Sequence, residues 1–170
     1  NAHNEPMNFF GTVRPEGEAS ILPYIWHESG LAAYGTLGEK LGKFNYQAMV
    51  VSGLNAKGFS GNHWVHHGQQ GLFEQDDFTN PAWMARLDWV GIQGLRLGAS
   101  LYHCSNTELN SFTSKEELKN AAKHPVTLWS IDAQWLGKYI EARASIVSGK
   151  VGNADKFSVA HEHGEAAEHV

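Results

Sequence analysis

Four stretches of the chain, residues 82–90, 95–103, 126–135 and 139–148, alternate apolar and polar positions with a period of two. In the first, Trp83, Ala85, Leu87 and Trp89 oppose Arg86 and Asp88. In the second, Leu95, Leu97, Ala99 and Leu101 oppose Arg96, Gly98, Ser100 and Tyr102. Thr127, Trp129, Ile131, Ala133 and Trp135 then oppose Ser130, Asp132 and Gln134, and Ile140, Ala142, Ala144 and Ile146 oppose Glu141, Arg143 and Ser145. A strand puts each apolar set on one face, whereas a helix would scatter Trp83, Ala85, Leu87 and Trp89 around its axis. Two less regular strands precede these, at 24–37 and at 44–53, where Phe44, Tyr46, Ala48 and Val50 share a face.

The connections sharpen this pattern. Residues 38–43, 91–94 and 136–138 are short turns, whereas 54–80 and 105–124 are long and polar. Short turns at one end and long loops at the other describe antiparallel, up-and-down strands. Residues 1–22, punctuated by Pro6, Gly11, Pro15 and Gly17, read as a loop, as does 152–170. Ser114 followed by Glu117 resembles a capping box, which predicts a short helix over 114–123.

Two architectures accommodate such strands. In a soluble β-sandwich the apolar faces meet in a core and the charges face solvent. In a transmembrane β-barrel the apolar face meets lipid and the charges line a wet interior. Strand length separates them. Ten residues at about 3.3 Å each, tilted by about 45°, span about 23 Å, close to the ~25 Å apolar band of an outer-membrane barrel. Sandwich strands more often have about five or six residues. Trp83, Trp89, Trp129 and Trp135 fall near strand ends, where interfacial aromatic girdles stand. The expected fold is therefore an all-β, antiparallel, up-and-down transmembrane β-barrel. Leu87, Leu97, Ile131 and Ala144 would face lipid, and Arg86, Asp88, Arg96, Asp132, Glu141 and Arg143 would line the pore. The alternative is a soluble β-sandwich that binds a glycan or protein ligand through exposed aromatics.

Composition adds exclusions. The chain has 170 residues and a net charge of −5, with thirteen basic residues scattered along it, so no basic patch points to nucleic acid. Eighteen glycines and many aromatics suit turns and strands. The single cysteine, Cys104, permits no internal disulfide and reads as a small residue at a strand end. No apolar run reaches about 18 residues, which excludes a transmembrane helix and has no bearing on a membrane strand.

Candidate chemistry is sparse. His63, His66 and His67 cluster, and His161 and His163 flank Glu162, but neither set has a partner motif at metal-ligand spacing. They read as surface histidines, and no metal or cofactor is expected. No catalytic motif occurs, and Asp132 and Glu141, with Arg143 nearby, read as a charge ladder across neighbouring strands rather than an acid–base pair. The chain is not expected to be an enzyme.

The N-terminal third carries a resemblance. Asn4-Glu5-Pro6, Phe9-Phe10-Gly11, Val13-Arg14-Pro15, Glu18, Ile21-Leu22-Pro23 and Trp26-His27-Glu28-Ser29-Gly30 resemble a stretch of bacterial outer-membrane porin-like proteins related to the phosphate-selective porins. Val51-Ser52-Gly53-Leu54-Asn55-Ala56 looks like the end of the next family strand, and Gly94-Leu95-Arg96-Leu97-Gly98-Ala99-Ser100-Leu101-Tyr102 like a later one. The likeness touches most of residues 4–150. It departs from the family at Asn4, where a histidine often precedes the Glu-Pro, and in lacking a lysine-rich constriction loop. The resemblance implies a monomer or homotrimer in the outer membrane of Gram-negative bacteria, surrounded by outer-membrane lipid and passing small polar or anionic solutes by passive diffusion.

Six strands do not close a membrane barrel, which begins at about eight. The start at Asn1 without a methionine, and the polar end at 161–170, suggest an internal fragment of a longer protein. The expectation for 1–170 is therefore one open, partial barrel domain.

Overall fold

The computed structural model describes residues 26–38, 42–59, 64–65, 67–70, 78–110 and 123–153. Six antiparallel strands form one sheet in the order of the chain: β1 (Gly30–Leu37), β2 (Lys43–Val51), β3 (Ala82–Ile92), β4 (Leu95–Cys104), β5 (Val126–Leu136) and β6 (Glu141–Val151). Every neighbour in sequence is a neighbour in space, and the sheet does not close, because β1 pairs only with β2 and β6 only with β5.

The turns follow from local chemistry. Gln93 and Gly94 reverse the chain between β3 and β4, with Gly94 at φ +83°, a left-handed conformation that glycine adopts without a Cβ penalty. Its carbonyl accepts from the Leu136 amide at 2.7 Å, which ties the turn to β5. Between β5 and β6 the Gly137 amide donates to the Ile140 carbonyl at 2.8 Å.

Apart from a register shift in β3 between Trp89 and Ile92, the pairing is continuous, and residues line up in rows across the six strands. One face carries Ala33, Ala48, Ala85, Leu101, Trp129 and Ser148 in one row, then Gly35, Tyr46, Leu87, Ala99, Ile131 and Ile146 in the next apolar row. This apolar face is largely exposed, with Leu31, Leu87, Leu97, Leu101, Ile131 and Ile146 all open. Among the described residues no second layer covers it.

The buried core lies on the other face, confined to the end where the long connections leave. There the polar face turns apolar: Val51, Ala82, Tyr102, Cys104, Val126 and Leu128 are buried under Leu54, Ala56, Phe59 and Val65. Trp26, Met49, Trp64 and Val151 pack against this cluster. The 64–70 stretch reaches across the sheet, since a Cβ on Gly149 of β6 would fall on the Trp64 ring. Burying side chains such as Leu54, Val65 and Val126 contributes about 1.5–3 kcal/mol each, and so holds both long connections to the sheet.

The strands expected from alternation all form, with shifted limits. The first begins at Gly30 rather than at 24, because residues 26–28 dock on the core: the Trp26 ring lies tilted against Tyr102 at 4.9 Å between centroids, and the His27 amide donates to the Gln69 side chain. The second ends at Val51, two residues early, where Ser52 and Gly53 enter the buried loop. The last begins at Glu141, because Lys138 to Ile140 make the turn, and it extends to Val151. Residues 114–122 of the expected helix, the stretch 1–22 and the histidines His63, His66, His161 and His163 lie outside the described residues.

Candidate functional site

The half of the polar face nearer the short turns carries the charge. Arg86 on β3 lies between two carboxylates: its Nε donates to Asp88 Oδ2 at 2.9 Å, and its Nη1 lies 2.9 Å from Asp132 Oδ2 on β5. Arg96 on β4 completes a square more loosely, at 3.9 Å from Asp88 and 3.6 Å from Asp132. Asp88, Gly98 and Asp132 occupy one register row. Gly98 makes the convergence possible, since a Cβ there would fall on Arg86 Nη2 and within 2.6 Å of Asp132 Oδ2 and 2.8 Å of Asp88 Oδ1.

A second group sits beside the first. Glu141 accepts from Arg143 Nε at 2.9 Å and from Gln134 Nε2 at 3.1 Å. Arg96, Gln134 and Arg143 fall in one row. Ser100 and Ser130 share a 2.6 Å hydrogen bond, and Thr36 donates to Asn45 at 2.8 Å on the β1–β2 pair. Polar side chains thus continue from β1 to β6 along this half of the face.

Exposure sets two arginines apart, while Arg86 is held at 25%. The Arg96 and Arg143 side chains are 46% and 39% exposed, whereas Asp88, Asp132 and Glu141 are 15%, 21% and 29% exposed. Hydrogen bonding draws the carboxylates down against the sheet while the longer arginines cover them. The most exposed charged groups of the two networks are therefore the Arg96 and Arg143 guanidiniums, although the chain as a whole is acidic.

All six charged residues expected to line a pore share this polar face: Arg86, Asp88, Arg96 and Asp132 form one network, and Glu141 and Arg143 the neighbouring one. Asp132 and Glu141 do not approach as an acid–base pair, each being held by its own arginines. Leu87, Leu97, Ile131 and Ala144 share the opposite face and are exposed. Trp83 and Trp129 stand toward the end with long connections, and Trp89 and Trp135 toward the turns. Trp89 is not fully open, because its indole folds over Gly42 and Gly91.

Charge alternation alone did not point to Gly98, to the Ser100–Ser130 pair or to Asn110. Asn110, fully buried in the 105–110 segment, joins the two long connections. Its Nδ2 lies within 3.0–3.2 Å of the Ser52, Leu54 and Asn80 carbonyls, and its Oδ1 accepts from the Asn80 amide at 2.9 Å. Asn55 in turn donates to the Asn110 carbonyl at 2.8 Å. The available signal was weak, an asparagine-rich loop composition. Cys104 is buried in the same cluster at the end of β4, in keeping with its reading as a small strand-end residue. Comparison with protein-family models, with characterised proteins and with solved structures found no match to this chain.

Proposed function

We propose that this sheet is part of the wall of a porin-like β-barrel of the Gram-negative outer membrane, through which small polar or anionic solutes pass by passive diffusion. The observation that carries the reading is the division between the two faces. Six strands present an exposed, nearly uncharged apolar face on one side and a hydrogen-bonded charged belt on the other. A contiguous apolar surface across a six-stranded sheet far exceeds the few hundred Å² that soluble monomers leave open. Lipid satisfies that surface, and water in a lumen solvates the arginines and carboxylates.

Passage then depends on the wall charges. Arg96 and Arg143 extend furthest into the lumen and favour anions, while Asp88, Asp132 and Glu141 hold them in place and temper the field. The free edges of β1 and β6 carry unpaired backbone groups that lipid does not tolerate, so a closed barrel requires strands beyond these six. Assembly as a homotrimer is compatible with this wall.

The test is co-flotation. A barrel closed by further strands around this sheet, diluted from denaturant into phosphatidylcholine vesicles, is expected to float with them and to resist protease over Ala82–Ile92, Leu95–Cys104 and Val126–Leu136. Recovery in the aqueous fraction without detergent would overturn the reading.

A further inference from the structure

We infer that the apolar face carries a binding site for the phosphate of an anionic lipid, formed by His103, Thr127 and Lys150; the inference rests on the membrane reading proposed above. Of the strand residues on this face, His103 and Lys150 are the ones with basic side chains, and no acidic residue accompanies them. Both fall in one register row, Trp83, His103, Thr127 and Lys150 from β3 to β6. Both are exposed, and neither forms an ion pair among the described residues.

The geometry suits one phosphate. Adjacent strands lie about 4.8 Å apart, so His103 and Lys150 flank Thr127 across about 10 Å, a gap that the lysine stem and a phosphate together bridge. His103 Nδ1 lies 2.9 Å from Thr127 Oγ1, which orients the ring and leaves Nε2 toward the surface. Cation, hydroxyl and imidazole thus share one row at the rim.

The same face supplies the rest of a lipid site. Leu101, Ile131 and Ile146 continue from this row toward the turns and offer exposed apolar surface to acyl chains. Trp83 ends the row and Trp129 stands in the next row inward, 63% and 42% exposed, where indoles meet headgroups. At the opposite end of the face, the rows of Leu97 and Trp135 contain no basic residue. The asymmetry places the anionic lipid in one leaflet, on the side of the long connections. Charge complementarity on an otherwise uncharged face selects an anionic lipid over a zwitterionic one.

The test measures the association of spin-labelled phosphatidylglycerol and phosphatidylcholine with the closed barrel in phosphatidylcholine vesicles. The expected result is a preference for phosphatidylglycerol of about fivefold or more, the effect of a single cation near a membrane surface. The double variant His103→Gln with Lys150→Gln is expected to lose it while floating with vesicles like the parent. Lys138→Gln, at the turn end, is expected to keep it. Equal association of both lipids with the parent, or a preference that survives the double variant, would overturn the site. Failure to float with either vesicle would instead overturn the membrane reading beneath it.

Discussion

Arg86 neutralises two carboxylates at once, and removing it would leave Asp88 and Asp132 facing each other across Gly98 with only the distant Arg96 between them. Arg86→Gln is therefore expected to lower stability by about 1–3 kcal/mol, since charged groups would lose partners at a partly buried site. A urea titration in detergent measures this. Gly98→Ala should act in the same direction by pushing the three side chains apart, and an unchanged midpoint would show that they can rearrange freely. Arg96 serves differently, because its contacts are long and its head is half-exposed. If this sheet is part of the closed barrel proposed above, Arg96→Gln is expected to leave stability within about 0.5 kcal/mol and to reduce anion over cation permeability, as read by reversal potential. The charged residues themselves were legible, because mid-strand charge opposite Leu and Ile can only belong to a second face. Gly98 was not, because one glycine in an alternating strand looks the same whether it fills space or makes room for three charged neighbours.

Among the elements, the two long connections behave as one unit. Asn110 joins them by four hydrogen bonds from a buried side chain, and Gln70 adds bonds to the Ser52 and Gly53 carbonyls. Asn110→Ala would leave buried carbonyls and the Asn80 amide short of partners, at an expected cost of about 2–3 kcal/mol. Hydrogen exchange should then rise together at Ser52–Asn55 and Asn80. A rise on one side only would mean that the connections are independent. Alternation located every strand where one face is wet. It misplaced the start of the first strand, where residues 26–28 dock on the core. It also gave no sign that the polar face becomes an apolar pad at one end. The signal was present in pairs such as Val50-Val51 and Ala82-Trp83, where both faces are apolar at once, but such pairs also occur in unpadded strands. Trp64 lying against Gly149 depends on loop packing that no periodicity encodes.

For the whole molecule, the apolar face makes the strongest demand. Ile131 stands in its central row, and Ile131→Arg should cost about 2–4 kcal/mol if that row lies at the bilayer midplane. Leu97→Arg, one apolar row nearer the turns, should cost somewhat less, and Trp83→Arg at the rim about 0–1 kcal/mol. A refolding series in lipid that showed no gradient with depth would sink the orientation. The sheet's division into two faces was thus readable from the sequence, while its extent as a single uninterrupted surface depended on the register. The two unpaired edges have a further arithmetic. The strands alternate in direction, so β1 and β6 run opposite ways, and β6 could sit antiparallel beside β1 with nothing between them. Any set of strands that completes an all-antiparallel cylinder between these two edges must therefore be even in number. Parity, rather than size, is what this sheet dictates to the rest of the ring.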